Sequence, residues 1–349
     1  MSFKRLDPED FLISADSVTA GAWTNNNPTI TTFYSSSTQE GGASGNYYLD
    51  VYSEDPDTSN TASVEFAIAF ADSEGSGSLL YDPGIVGKSP TATVYGQYQN
   101  VVLGDEINNF NFGGITPTTQ SFYALTIERA KYKGSIFPGT LNLHLTTPGG
   151  GDTVVLTDNS NDVSTVSFNE AGRVFQLISG SNGSAVEAAD TPSNAVSNGM
   201  TVSGSYGLFL PDIGTLILNA SALDLGASNG GISLGTEYDE NTANNNNRKF
   251  IESLEEGASF TLNSQENITS DFVFVRARNS EYNYSENPSF ISGSTGEVLY
   301  TSFINSPQTF ITSVGLYNDS NELLAVAKLS KPLKKDFTKE ALIRIKLDF

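Results

Sequence analysis

The sequence predicts a mainly β protein, built as antiparallel β-sandwich layers with long polar loops and one short helix. Three observations carry that reading. Short apolar runs with period-two alternation recur along the chain, and they outnumber helical patterns by about ten to one. Turn formers punctuate these runs, with 32 Gly and 13 Pro in 349 residues. Strand and helix patterns do not alternate, so a doubly wound or barrel α/β enzyme is not expected.

The elements follow in chain order. Residues 1–60 read as an extended N-terminal arm rich in Ser, Thr, Asn and Gly. Two short strands, 30–35 and 47–52, are expected within it. Trp23, Tyr34 and Tyr48 supply anchors that would hold such an arm on a neighbour. Residues 61–222 read as a β-rich domain. There Phe66, Ile68 and Phe70 alternate with Glu65, Ala67 and Ala69. Further strands are expected at 92–103, 122–129, 141–146, 153–158 and 174–179. Pro211-Asp212-Ile213-Gly214 between two apolar runs predicts a hairpin.

Residues 223–247 read as an Asn/Gly-rich linker, and 248–349 as a C-terminal β domain with a short helix. Phe250, Ile251 and Leu254 fall on one side of that helix, over 248–256. Strands then resume. Val273, Val275 and Ala277 alternate with Phe272, Phe274 and Arg276. Two β-runs flank Asn318-Asp319-Ser320-Asn321, the clearest hairpin of the chain. The last run, from Ala341 to Phe349, puts Ile343, Ile345 and Leu347 on one face and Arg344 and Lys346 on the other.

Composition excludes several function classes. There is no Cys, which removes disulfides, thiolate nucleophiles and Cys-ligated metals. The formal net charge of -22 argues against nucleic acid and against an anionic membrane surface as partners. No apolar stretch is long enough to span a bilayer as a helix, and no secretory signal is expected from Met1 to Thr19. His144 is the single histidine, without a nucleophile elbow to serve. The Gly-rich pieces at Gly113-Gly114 and Gly149-Gly150-Gly151 lack the Lys-Ser/Thr of a phosphate loop. Acidic clusters at Glu54-Asp55-Pro56-Asp57 and Asp239-Glu240 lie in turn sequences without EF-hand spacing, which leaves an oxygen-ligand Ca²⁺ site open but unmarked. No catalytic residue, metal ligand or cofactor site is therefore assigned, and no enzymatic activity is expected.

Charge is distributed unevenly. Between Gly134 and Asn247 the one basic residue, Arg173, stands against eleven acidic ones, whereas the last 22 residues hold seven Lys or Arg. Three explanations stay open for that basic end, contact with nucleic acid being the third. Lys331, Lys334 and Lys335 guard a hairpin edge against stray pairing, or they dock with Arg344, Lys346 and Phe349 on an acidic neighbour, such as another copy. Aromatic residues are not interleaved with the lysines, as a base-stacking platform would need.

Several stretches resemble structural proteins of contractile-tailed, T4-like phages, marine cyanophages above all. They are Phe70 to Ser78, SPTATVYGQYQN at Ser89 to Asn100, FYALTIER at Phe122 to Arg129 and Phe137-Pro138-Gly139. YGLFLPDIGTLILN at Tyr206 to Asn219 and the tail from Phe274 complete the set, with VGLYNDSNELLAVAKLSKPLKK its most specific part. The resemblance implies a virion protein of the tail, in the baseplate above other places, assembled in the host cytoplasm. Its partners would be other tail proteins and further copies of itself. A receptor- or glycan-binding fibre module, with Tyr282-Asn283-Tyr284 stacking on sugars, is the main alternative. A capsid or neck component is another.

Overall fold

The computed structural model describes residues 4–37, 48–75, 91–110, 112, 120–185, 206–235, 245–284 and 288–348. The chain groups into two compact units, Val18–Glu266 and a smaller one joining Met1–Ser17 to Asn267–Phe349. In chain order the first strands are β1 (Phe11–Gly21), β2 (Thr29–Ile30), β3 (Leu49–Tyr52), β4 (Val64–Asp72), β5 (Ser121–Ile127) and β6 (Ser135–Ile136). Then come β7 (Asn142–Thr146), β8 (Thr153–Asp158), β9 (Ser167–Asn169), β10 (Gly172–Ser181), β11 (Ser184–Ala185), β12 (Gly207–Leu210) and β13 (Thr215–Asn219). The last are β14 (Phe260–Thr261), β15 (Asn263–Ala277), β16 (Gln308–Tyr317), β17 (Leu323–Asp336) and β18 (Ala341–Asp348). Helices described in full between them are α1 (Thr91–Tyr98), α2 (Ala220–Leu223), α3 (Asn245–Gly257) and α4 (Thr301–Asn305). The fold is mainly β with large antiparallel sheets, as the alternating runs predict.

The larger unit is built on a 12-stranded antiparallel sheet curled into a half-barrel. Its main path runs β2-β14-β7-β8-β10-β12-β13-β5-β4-β3. The central strands are apolar on both faces, because both faces are covered. On β4, Phe66, Ile68 and Phe70 enter one core cluster while Ala69 and Ala71 face the other. On β5, Tyr123, Leu125 and Ile127 share the first cluster, and Phe122 and Ala124 the second. Strand periodicity thus sorts each run between two cores. Helix α3 closes the first core with Phe250, Ile251 and Leu254, and Phe250 stacks on Tyr123 at 4.9 Å between ring centroids.

Residues 92–103 are helical, not a strand. Helix α1 continues into a π-turn at Gln99–Leu103. Its β-branched and aromatic residues suggest a strand, yet Thr91, Val94, Tyr95, Gln99 and Val102 are the positions it buries. That spacing of three and four near its start is helical, and it lays Val94 and Tyr95 on the small side chains of β4.

The four-part division read from the sequence also differs from the observed grouping. The expected arm contributes Trp23, Ile30, Phe33, Leu49 and Val51 to the same core cluster as Phe66 and Phe260. Five large apolar groups bury enough area, on the order of 1.5–3 kcal/mol each, to override the polar sequence around them. Within the expected linker, Leu223, Ile232 and Leu234 are core residues, and 236–244 lie outside the described residues. The helix falls in the larger unit rather than with the C-terminal strands.

The smaller unit is thinner. Strand β15 pairs with β18 over eight residues, from Ser270 opposite Asp348 to Ala277 opposite Ala341. Val273, Ile343 and Ile345 are buried there, packed by Val275, Leu347, Leu6 and the inward side chains Ile311, Val314, Leu316, Ala327 and Leu329 of the β16–β17 hairpin. That hairpin closes through the predicted Asn318 to Asn321 turn, with Asn321 at φ 62° and the Asn318 carboxamide accepting from Glu322 N at 2.8 Å. Between Ile311 and Ser313 the register jumps from Leu333 to Lys328, so Pro332, which has no N–H to give a ladder, falls in a bulge. Strand β1 was not expected, because Phe11 to Gly21 shows no clean alternation. It lies beside β15 at the end of the order β1-β15-β18.

Candidate functional site

The expected interface residues divide into buried and exposed groups. Trp23 is 2% exposed. Its Nε1 donates to the Phe260 carbonyl at 3.0 Å, and its ring lies 4.8 Å from that of Phe260 and 5.9 Å from that of Phe66. It is a core residue, not an anchor for a neighbour. Lys335 is also fully buried. Its amino group donates to the Asn279 carbonyl at 3.2 Å and to Asn283 Oδ1 at 2.9 Å. Lys331, Lys334, Arg344 and Lys346 are exposed, as are Tyr34 and Tyr48. Tyr34 is tied to Tyr52 by two backbone hydrogen bonds. Phe349 lies outside the described residues.

Ion pairs hold several charged side chains of the smaller unit. Within the smaller unit Lys4 pairs with Glu281 at 3.1 Å, Arg276 with Glu340 at 2.7 Å and Lys346 with Asp348 at 2.9 Å. Register adds what the linear sequence hides. Phe272 stands opposite Lys346 and Phe274 opposite Arg344. The Arg344 guanidinium lies 5.2 Å, and the Lys346 amino group 6.0 Å, from the centre of the Phe272 ring. Aromatic and basic residues are therefore interleaved across two strands, although not along one. The expectation drawn from linear spacing is corrected on this point.

Charge and apolar exposure separate the two units. The smaller carries eleven basic and thirteen acidic residues and the larger seven and twenty-seven, so nearly all of the net -22 belongs to the larger. Among the described residues of the larger unit, forty-eight apolar side chains are buried and eight large ones exposed. In the smaller unit five are buried and sixteen large ones exposed. An ordinary self-contained domain hides most of its large apolar groups.

Three carboxylates of the larger unit are held by protein partners. Glu65, fully buried, meets Lys131 at 3.1 Å, Ser53 Oγ at 2.7 Å and Thr24 N at 3.2 Å. Asp158, also buried, accepts from the backbone N–H groups of Gly139 and Ser160. Asp212 is held by Arg173 through Nε at 3.0 Å, Nη2 at 2.6 Å and the Arg173 backbone N–H at 2.8 Å. Burial pushes the Asp212 carboxyl up, but these bonds and the guanidinium charge outweigh it and leave the pKa below the ordinary aspartate value.

The acidic turn at Glu54 to Asp57 satisfies itself. Glu54 accepts from Ser59 and Thr61, which lowers its pKa, and Asp55 accepts from Asp57 N and Thr58 Oγ1. His144 is half-buried on β7. Asp239-Glu240 and Gly113-Gly114 lie outside the described residues. Gly149, Gly150 and Gly151 all have positive φ in the turn between β7 and β8, as a tight turn requires. Among the described residues no three His, Cys, Asp or Glu side chains stand together as a metal cluster. A polar cavity of about 230 Å³ opens between Thr24, Asn25, Thr29, Thr32, Ser53 and Glu54, and no aromatic ring lines it. Tyr282 and Tyr284 are exposed on either side of the buried Asn283.

A scan against protein-family models and searches of curated proteins and of solved structures find no match to this chain.

Proposed function

We propose that this chain is a structural component of a phage virion, assembled into the tail and there into the baseplate, and that it works by contacts between subunits rather than by catalysis. The resemblance of its C-terminal segment to T4-like tail proteins motivates the virion assignment. The observation that carries assembly is the smaller unit. It is close to electrically neutral, has a thin core and exposes sixteen large apolar side chains among its described residues. Such a surface is costly for a protein that stays alone and useful for one that is covered by neighbours. The strongly acidic larger unit would keep the chain dispersed until assembly.

Mass spectrometry of purified tail and baseplate fractions tests the reading. The chain is expected in stoichiometric amounts, and its absence from whole virions overturns the proposal. Detection with the head or neck alone would instead favour a capsid or neck component.

One feature favours a second reading. Tyr282 and Tyr284 present exposed rings on a turn that Asn283 and Lys335 hold fixed, and fixed aromatic rings suit sugar faces. Binding on a glycan array that is lost in Tyr284→Ala would select a receptor-binding module.

A further inference from the structure

We propose that Lys335 and Asn283 form an amide cross-link, Nζ joined to Cγ with release of ammonia, so that the smaller unit carries an internal covalent staple. This bond concerns the folded chain alone and stands apart from the virion reading.

Lys335 is fully buried and Asn283 is 6% exposed. A lysine with no exposure is ordinarily paired with a carboxylate. Here both acceptors of Nζ are neutral, Asn283 Oδ1 at 2.9 Å and the Asn279 carbonyl at 3.2 Å. No ion pair among the described residues includes Lys335. Asn283 Nδ2 donates to that same Asn279 carbonyl at 2.5 Å. One backbone oxygen therefore holds both the amine and the carboxamide nitrogen that it would displace.

The surrounding strands fix this approach. Lys335 stands opposite Thr309 in the β16–β17 pair, and Thr309 Oγ1 donates to the Tyr282 carbonyl at 2.6 Å. The peptide before Asn283 is thus tied to the strand that faces the lysine. Two groups held in contact by the fold react as one molecule rather than as two, which removes much of the entropic barrier. Burial also keeps out the water that would compete for the carboxamide.

The step balances without a co-reactant. Cγ is one bond from Oδ1, so a small swing of the Lys335 side chain puts Nζ on that carbon. The Nζ lone pair forms the Nζ–Cγ bond, and the Cγ–Nδ2 bond breaks with its electrons leaving on Nδ2. Two protons pass from Nζ to Nδ2, so an ammonium group enters the step and an ammonium ion leaves it. Nothing is oxidised or reduced.

The smaller unit has a use for such a bond. Five apolar side chains are buried among its described residues, and a chain without Cys has no disulfide to offer. Thin cores are commonly supported by covalent staples. The bond would link residues 52 apart in sequence, enclosing β16 and nearly all of β17. Closing a loop of that length restricts the unfolded chain.

Intact mass tests the proposal on the full wild-type chain, held folded at neutral pH until its mass no longer changes. The mass is expected below that of the sequence by one ammonia, about 17 Da. A tryptic digest is expected to contain one branched peptide joining residues 279–328 to 335–339. Lys335→Met and Asn283→Leu are each expected at the full mass of their sequence. A wild-type chain at full mass with no branched peptide overturns the cross-link. An ammonia loss that persists in Lys335→Met also overturns it, because the ammonia then comes from an Asn cyclised elsewhere. The branched peptide is read in the wild-type chain, so it decides the matter even where a variant fails to fold.

Discussion

The amino group of Lys335 donates to Asn283 Oδ1 at 2.9 Å, at a position with no solvent exposure. Asn283 in turn donates from Nδ2 to the Asn279 carbonyl at 2.5 Å, and Lys335 reaches that same carbonyl. The lysine therefore clasps the turn after β15 to the end of β17, beside Thr309, which donates to the Tyr282 carbonyl at 2.6 Å. Removing one partner of a buried polar pair costs more than removing the demanding group itself. Asn283→Leu is expected to destabilise the smaller unit by ~3 kcal/mol, and Lys335→Met by less, ~1–2 kcal/mol. Hydrogen exchange of the β16–β17 amides measures both. Equal effects would show that Asn283 does not serve the lysine.

Trp23 gives an independent reading of the other unit. It is the chain's one tryptophan and is packed between Phe66 and Phe260 in the larger unit. Phe260→Ala leaves a cavity beside it and is expected to cost ~3–5 kcal/mol. A red shift of tryptophan emission should accompany the lowered denaturation midpoint. The Lys335 and Asn283 variants should leave that emission unchanged, because two compact units need not unfold in one step.

How far the sequence reaches depends on whether a signal is local. The paired runs of β4 and β5 and the Asn318 turn were legible, since strand period and turn chemistry are carried by neighbouring residues. Helix α1 was misread because Val94, Tyr95 and Thr91 have strand propensity, and only their contact with Ala71 and Phe122 decides against it. The arm was misread for a related reason. A Ser- and Asn-rich stretch gives no hint that Trp23 finds Phe260 across 237 residues. The surface residues fared likewise: Lys331 and Lys334 are exposed, whereas Lys335, next in line, is inside, and alternation alone could not say which neighbour turns inward. Glu65 left a trace, an acidic residue amid an apolar run, but its partner Lys131 is supplied by tertiary structure.

Acid should weaken the fold through carboxylates that the native state holds ionised. Asp212 is the clearest, with its pKa lowered by Arg173 against the opposing effect of burial. Glu281, lowered by the Arg278 N–H and by Lys4, and Asp348, lowered by Ser270 and Lys346, act in the same direction at exposed sites. A depressed native pKa contributes stability that is complete above the unfolded-state value and is lost as pH falls through the native one. The Tm is therefore expected to hold at neutral pH and to fall below the ordinary carboxylate range. In Arg173→Gln the neutral Tm should start lower and drop less on acidification. Parallel curves for the two proteins would rule out this pair as a contributor.

Alkali should act with the opposite sign, through Tyr206. Its hydroxyl is buried and donates to the Gly230 carbonyl, and burial pushes its pKa up to about 12. An unfolded tyrosine titrates near ~10, so the unfolded chain releases this proton first. The stabilisation is complete below the unfolded value and is lost as pH rises through the native one. Its loss is on the order of 2–3 kcal/mol when both states are ionised. Tyr52, Tyr95, Tyr98 and Tyr132 are also raised by burial, so they add to the same limb. Tyr206→Phe should cost ~1 kcal/mol at neutral pH for the lost hydrogen bond and should flatten the alkaline limb. Phenolate absorbance followed against pH, with the Tm, measures both. A buried Tyr206 that ionised as readily as a free phenol would break the argument at its first step, because the native state would then hold no proton that the unfolded chain gives up sooner.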